Sequence, residues 1–211
     1  MKSNPISPIN KITRIAAGDD RTVYDNFSVF LHWLTVLLVV SQFALAETWE
    51  WFARPTRHLM IVAHMSFGII LSAVIVIRII WRLIPGHQVS PAVSGRTEMA
   101  SKAVHYLLYA MLAAEAVLGF VLRWAGDESM SFFGLLIPPP FAPFSKPAHH
   151  LVGELHELNG WAIIILSAGH AAAALYHHYV LRDRVLSRML PGARALGRKR
   201  YPGAACTMKL M

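Results

Sequence analysis

The sequence predicts an all-α integral membrane protein, a bundle of four transmembrane helices. Of its 211 residues, 55% are hydrophobic and 15% are charged, whereas a soluble domain carries about 25% charged residues. Four long apolar stretches each reach the roughly 20 residues needed to cross the hydrocarbon core of a bilayer. Lysine and arginine are concentrated in alternate connections between these stretches. Composition and charge distribution therefore indicate a single membrane domain.

Each apolar stretch is predicted to be a helix, because backbone polar groups in lipid must be paired within their own segment. The spans are Phe27–Ala46, Leu59–Ile77, Ala103–Leu122 and Leu158–Leu181. The second extends to Leu83 past Arg78 and Arg82, and the third contains one charge, Glu115. The fourth has a helical lead-in from about Glu154. The transmembrane domain is predicted over residues 25–192, between a flexible N-terminal arm (1–24) and a basic C-terminal tail (193–211).

The connection Arg123–Gly153 is rich in proline and aromatic residues. Its apolar run, "SFFGLLIPPPFAPF", is too short to cross a membrane and contains several helix-breaking prolines. We expect this connection to lie on the outer membrane face or to cap the bundle.

The basic residues predict that both termini are cytoplasmic. One side of the predicted topology carries sixteen lysines and arginines, and the other side carries four. The sixteen are Lys2, Lys11, Arg14, Arg21, Arg78, Arg82, Arg96, Lys102, Arg182, Arg184, Arg188, Arg194, Arg198, Lys199, Arg200 and Lys209; the four are Arg54, Arg57, Arg123 and Lys146. The positive-inside rule makes the richer side cytoplasmic. Topology and anionic lipid account for the basic tail, and no nucleic-acid-binding motif accompanies it.

Four of the eleven histidines fall at defined depths in the spans. His32 lies near the inner face and His64 near the outer face, each five residues into its span. His156 opens the fourth helix at the outer side, and His170 follows 14 residues later, about 21 Å deeper on nearly the same face. Histidines that face each other at one depth can bind one haem iron from both sides. Depth therefore pairs His64 with His156 and His32 with His170.

Gly68 and Gly160 each lie four residues after an outer histidine, His64 or His156. Position i+4 shares a helix face, so a glycine there leaves room for a flat macrocycle. The alternative is that both glycines serve close helix packing.

Other metals and a proton pathway are less consistent with this spacing. A zinc site would need three or four ligands at one level, and copper would more naturally recruit methionine or cysteine. The single cysteine, Cys206, excludes an intrachain disulfide and a cysteine-ligated cluster. A histidine proton relay predicts a continuous path of histidines rather than pairs matched in depth.

The four spans together resemble the bacterial cytochrome b561 family of small di-haem membrane cytochromes, over roughly residues 20–192. The resemblance rests on the joint spacing of "SVFLHWL", "MIVAHMSFG", "VHYLLY", "LHELNGW" and "HAAAALYHHYVLRDRVLSRMLP". It implies two haem b groups stacked across the membrane, with His32, His64, His156 and His170 as the axial ligands. Similarity to the superoxide oxidase type implies electron transfer from superoxide at the outer face to ubiquinone near the inner face.

Four further residues within the spans or at their ends have more than one possible role. His177 lies two turns beyond His170 and resembles the family's quinone-side histidine, or it is an interfacial histidine. Arg78 could pair with haem propionates or anchor the helix at the cytoplasmic face. His105 is expected to be a packing histidine, with a propionate contact as the alternative. Glu115 requires a partner, a proton or a wet cavity.

Two other functions stay open at this point. The chain could be an electron carrier for a soluble periplasmic redox protein, or a non-redox transporter of protons or metal ions lined by histidines. Membrane lipid is an expected partner in every case. The superoxide prediction has to contend with six acidic residues on the outer side, which oppose the attraction of an anion. They are Glu47, Glu50, Asp127, Glu128, Glu154 and Glu157.

Overall fold

The computed structural model describes residues 24–84, 95–183 and 185–190. Four long helices dominate these residues: α1 (Asn26–Thr48), α2 (Arg54–Leu83), α3 (Arg96–Ala125) and α4 (Lys146–Tyr179). All four are long and apolar enough to cross a membrane, so the predicted four-helix transmembrane bundle is confirmed. The N-terminal arm up to residue 23 and the tail 193–211 lie outside the described residues, as do the cations predicted there.

The core of the bundle contains side chains from every helix. Buried apolar side chains meet at its centre: Leu31 and Leu38 from α1, Leu71, Val74 and Ile75 from α2, Leu112 from α3, and Ile163 from α4. Many large apolar side chains point outward instead, as the lipid-facing surface of a membrane helix requires. The closest helix neighbours are α1 with α2 and α3 with α4.

The fourth helix begins earlier than the lead-in predicted at Glu154. It begins at Lys146 and has Pro147 in its first turn. The proline-rich composition favoured a loop up to Gly153, but proline fits the first turn of a helix, where its missing N–H has no intrahelical partner in any case. Pro55 occupies the same position at the start of α2. The connection between α3 and α4 is therefore shorter than predicted.

That connection contains a β-hairpin, which the sequence did not predict. Strands β1 (Met130–Phe132) and β2 (Leu135–Ile137) are antiparallel and turn at Phe133 and Gly134, both with positive φ. Two positive φ values suit a tight hairpin turn. The backbone N–H of Phe133 donates to Ser66 Oγ on α2 at 2.9 Å, and Ser66 is fully buried. Strand β1 therefore packs beside α2, as a cap would, whereas Leu135 and Leu136 of β2 are exposed.

Candidate functional site

The half of the bundle at the end of α1 and the start of α2, called the outer half here because the topology prediction places it outside, contains a large cavity. Its volume is about 760 Å³, and residues of all four helices line it. His64 from α2 and His156 from α4 both line this cavity. Each histidine lies ten residues after the first residue of its helix, Arg54 or Lys146, which is about 15 Å along the axis. The two helices therefore bring these imidazoles to one level.

The two outer imidazoles are spaced as one iron would require. Their ring centroids are 6.4 Å apart. Imidazole binds a first-row metal at about 2 Å, so two bonds on opposite sides of one ion, with the ring radii added, separate the centroids by about 6 Å. The structure thus brings together the pair that depth predicted, His64 with His156.

Each outer histidine has its Nδ1 atom turned toward the protein. His64 Nδ1 lies 3.1 Å from the backbone carbonyl of Gln42, to which it can donate. His156 Nδ1 lies 3.2 Å from Glu115 Oε1 on α3. In metal sites such partners fix the ring orientation and the tautomer, and they leave Nε2 to bind the ion.

Five glycines line the outer cavity: Gly68 and Gly160 at the predicted positions, and Gly119, Gly126 and Gly153, which sequence reasoning missed. A Cβ on Gly68 would come 2.8 Å from Gln42 Nε2, and one on Gly160 would come 3.2 Å from Glu115 Oε1. Of the three missed glycines, Gly119 on α3 lies against a candidate ligand, because a Cβ there would be 3.3 Å from His156 Cε1. The sequence feature that could have identified Gly119 is its position one helical turn after Glu115.

The outer residues are consistent with a haem group. The cavity supplies space between two imidazoles and is largely apolar, and Arg123 lines it as well. Arg123 Nε is buried and has no hydrogen-bond partner among the described residues. A carboxylate such as a haem propionate would satisfy this donor. Imidazole nitrogens are suitable axial ligands, so the donor set fits haem iron.

Three histidines gather at the inner level. His170 and His105 pack edge to face with ring centroids 5.0 Å apart, and His32 lies within electrostatic range of both. His105 Nδ1 lies 2.6 Å from the backbone carbonyl of Ser101. The structure thus groups the predicted pair His32 and His170, and it adds His105, which we expected to serve packing.

Arg78 lies at the same inner level. Its Nη1 atom donates to Thr35 Oγ1 at 2.8 Å, and its guanidinium lies 5.3 Å from the centre of the Tyr109 ring. A cation over an aromatic face is stabilised by the ring quadrupole. Arg82, one turn further, is exposed. Arg78 is therefore held toward the helices, whereas the exposed Arg82 lies within electrostatic range of His105.

His177 Nδ1 and Asp183 Oδ2 form a hydrogen bond at the inner end of α4. The backbone N–H of Val185 also donates to Asp183, at 3.0 Å. Slight burial acts to raise the pKa of the Asp183 carboxyl, but the His177 and Val185 hydrogen bonds outweigh it and hold that pKa below its usual range. The ring of His178 packs instead on Tyr179.

Two of the four outer cations are paired with acidic residues. Arg57 forms an ion pair with Glu50, and Arg123 forms one with Glu128. Glu50, Arg123 and Glu128 line the outer cavity, so both pairs lie at its wall. Such pairing reduces the positive potential that an approaching anion would meet.

Comparisons with known proteins agree with this architecture. A family model described as prokaryotic cytochrome b561 matches residues 23–192. The protein named cytochrome b561 homolog 2 of Escherichia coli (strain K12) is 32% identical over 176 residues, covering 79% of this chain and 90% of that protein. Cytochrome b561 homolog 1 of the same strain is 33% identical, covering 80% of this chain and 97% of that protein. A probable superoxide oxidase CybB of Yersinia pestis is 29% identical, covering 81% of this chain and 97% of that protein.

Proposed function

The chain belongs to the prokaryotic cytochrome b561 family of haem b-binding membrane cytochromes, and on that premise we propose that it transfers single electrons across the bacterial inner membrane, from periplasmic superoxide to ubiquinone. The observation that carries this proposal is the pair of outer imidazoles, His64 and His156, at 6.4 Å across a cavity of about 760 Å³.

We assign two haem b groups to two levels of the bundle. His64 and His156 hold the outer iron, with Gly68 and Gly160 leaving room for the macrocycle. His32 and His170 hold the inner iron, and Arg78 provides a cation beside the inner group. Haem iron bound in this way would supply the one-electron chemistry, while the protein supplies ligands, orientation and an apolar surrounding.

The inner end of the bundle is the proposed site of quinone reduction. A quinone that accepts electrons must also receive protons, and histidine titrates in the physiological range. His177 has an acidic partner in Asp183, which orients its ring and leaves Nε2 for a ligand. The nearby membrane interior is the natural source of a lipid-soluble quinone.

We place the N-terminal arm and the basic tail in the cytoplasm, which makes the His64 end periplasmic. The lone cysteine provides a direct test. A membrane-impermeant maleimide should label Cys206 in inside-out vesicles and leave it unlabelled in intact spheroplasts, and the opposite pattern would reverse the topology.

A second candidate function is electron exchange with a soluble periplasmic redox protein. The pairing of Arg57 with Glu50 and of Arg123 with Glu128 favours it, because paired charges attract superoxide weakly but can be complementary to a protein surface. The third reading, a non-redox transporter, loses support through the family assignment. Within the ranges the structure describes, no three or more His, Cys, Asp or Glu side chains are arranged to hold a metal ion.

Stopped-flow reduction of the purified haem-loaded protein separates the two electron-transfer functions. We expect superoxide to reduce the haem rapidly, and a soluble ubiquinone analogue to reoxidise it with turnover. If superoxide reduces the haem no faster than superoxide decays spontaneously, the result would favour electron exchange with a soluble redox protein. Haem-free protein after expression with ample haem supply would contradict both functions.

The quinone role of His177 has its own test. His177→Ala should retain both haem groups and slow reoxidation by the quinone analogue, and Asp183→Asn should slow it less, because the ring remains. His178→Ala is the matched control, since its ring packs on Tyr179. Equal quinone kinetics in His177→Ala and His178→Ala would remove His177 from the site.

A further inference from the structure

We propose that Glu115 is a positioning residue for the outer haem, whose carboxyl group accepts the Nδ1 hydrogen of His156 and so sets the donor strength of that ligand. This inference rests on the proposed function of His156 as an axial ligand. It also gives a role to the one acidic side chain within the third predicted span.

The position of Glu115 demands a partner. It lies ten residues before Ala125, the last residue of α3, and so about 15 Å below the outer end of that helix. An acidic side chain at such depth is costly unless it is paired or faces a polar space. The Glu115 side chain is only 21% exposed and lines the outer cavity. A role in lipid contact or surface solvation is therefore excluded by its position.

The contacts of Glu115 point to His156. Oε1 lies 3.2 Å from His156 Nδ1, a buried nitrogen that makes no well-aligned hydrogen bond within the described part of the chain. The Asn159 amide donates to the other oxygen, Oε2, at 2.7 Å and to the Met111 carbonyl at 3.0 Å. Asn159 thus fixes the carboxyl group and leaves Oε1 toward the imidazole.

The helix surfaces around this contact are shaped to allow it. A Cβ on Gly160 would approach Glu115 Oε1 to 3.2 Å, and a Cβ on Gly119 would approach His156 Cε1 to 3.3 Å. Both distances are tighter than ordinary contact, so side chains there would displace the carboxyl or the ring. The absence of side chains at Gly119 and Gly160 lets α3 and α4 bring Glu115 and His156 together.

The two proposed outer ligands then differ in the partner of their Nδ1 atoms. His64 donates to a backbone carbonyl, that of Gln42, whereas His156 has a carboxyl partner. A carboxylate that accepts from a ligating imidazole makes it a stronger donor. A stronger donor stabilises ferric over ferrous iron and lowers the midpoint potential of that haem. Glu115 therefore tunes the outer haem through His156 without touching the iron.

The experiment compares three variants of the full-length, haem-loaded protein. Glu115→Leu removes the acceptor, Glu115→Gln keeps a weaker one, and Glu154→Gln is the control, because it removes an exposed carboxylate from α4 two residues before His156. The readouts are the midpoint potential of each haem and the electron paramagnetic resonance g values of the low-spin ferric signals. The outer haem is identified by its loss in His64→Ala.

We expect Glu115→Leu to raise the outer midpoint potential and shift the outer g values, with the inner haem unchanged. Glu115→Gln should shift both in the same direction by less, and Glu154→Gln should match the wild type. If Glu115→Leu does not fold, the shift in Glu115→Gln carries the test. The inference would be overturned if the midpoint potential and g values of the outer haem stayed at wild-type values in every Glu115 variant that binds haem. That result would indicate that the acceptor is the Glu115 backbone carbonyl, which also faces His156. Absence of haem from the wild type would contradict the proposed function instead.

Discussion

The outer and inner histidine groups are built differently. In the outer group, two imidazoles face each other across a cavity, and their Nδ1 atoms turn to Gln42 and Glu115. In the inner group, a third imidazole, that of His105, packs on His170 at 5.0 Å. The charged neighbours also differ. His156 has the Glu115 carboxyl group beside it, and Arg123 in the same cavity wall is paired with Glu128, whereas the inner level has the guanidinium of Arg78.

This contrast has a consequence for the direction of electron flow. A carboxylate near a haem stabilises ferric iron, and a cation near a haem stabilises ferrous iron, because the ferric form carries one more positive charge. We therefore expect the outer haem to have the lower midpoint potential of the two. Under the proposed function, electrons would then move downhill from the outer to the inner haem, toward the proposed quinone site at His177.

Removal of one proposed ligand from each group is the largest perturbation. We expect His64→Ala to lose the outer haem and retain the inner one, and His170→Ala to do the reverse, since under the proposed function each iron would depend on its own pair. Haem content and split b-type absorbance of the purified variants provide the measurement. His58→Ala, an exposed histidine near the start of α2, is the control and should keep both. Loss of both haems in each ligand variant would leave the pairing by depth unsupported.

Removal of the inner cation should act on one potential only. Arg78→Gln is expected to lower the midpoint potential of the inner haem and leave the outer one unchanged, because the charge is held near His32 by Thr35 and Tyr109. Arg82→Gln removes an equal charge from an exposed site and should have a much smaller effect, since water screens it. A potentiometric titration of each variant measures both haems. Equal shifts from Arg78 and Arg82 would assign the effect to general cytoplasmic charge.

The fold and the approach of His64 to His156 could be predicted because both depend on periodic, local properties. Apolar runs of bilayer length specify helices, and counting residues along them gives depth, which brought His64 to His156. The side-chain partners of the candidate histidines could not be predicted in the same way. The contact of Glu115 with His156 and of His105 with His170 depends on the rotation of α3 against α4, which the sequence pattern of α3 does not determine. The start of α4 was misplaced because Pro147 favours both a loop and a first helical turn.

The glycines around the two groups should differ in their tolerance of a methyl group. Gly119→Ala adds a Cβ at 3.3 Å from the His156 ring, whereas a Cβ on Gly169, one residue before His170, meets nothing within 4 Å. We expect Gly119→Ala to reduce outer haem occupancy and Gly169→Ala to retain full haem. Alanine in an open helix interior is favoured over glycine by about 0.5–1 kcal/mol, so Gly169→Ala should also unfold at a higher temperature. A lower haem content in Gly169→Ala than in Gly119→Ala would reverse this comparison.

The smallest expected effect concerns how the helices begin on the two sides. At the inner end of α1, Asp25 caps the helix by accepting from the Ser28 N–H at 2.9 Å and the Ser28 hydroxyl at 2.6 Å. At the outer end of α4, Ser145 occupies the N-cap position but makes no side-chain cap bond. Asp25→Ala should therefore cost about 1 kcal/mol of stability, whereas Ser145→Ala should cost close to nothing, as measured by thermal unfolding in detergent.

The Asp25 cap also predicts a pH dependence. Partial burial acts to raise the pKa of Asp25, but the two Ser28 hydrogen bonds and one from Trp81 outweigh it, so the folded-state pKa lies below the ordinary value of 3.8. A carboxyl group with a lowered folded-state pKa stabilises the protein above its unfolded pKa and loses that contribution as the pH falls through the folded value. The stability difference between wild type and Asp25→Ala should therefore be constant near neutral pH and shrink below about pH 4. A difference that persists undiminished under acid conditions would mean that the Ser28 contacts do not depend on the ionised carboxylate.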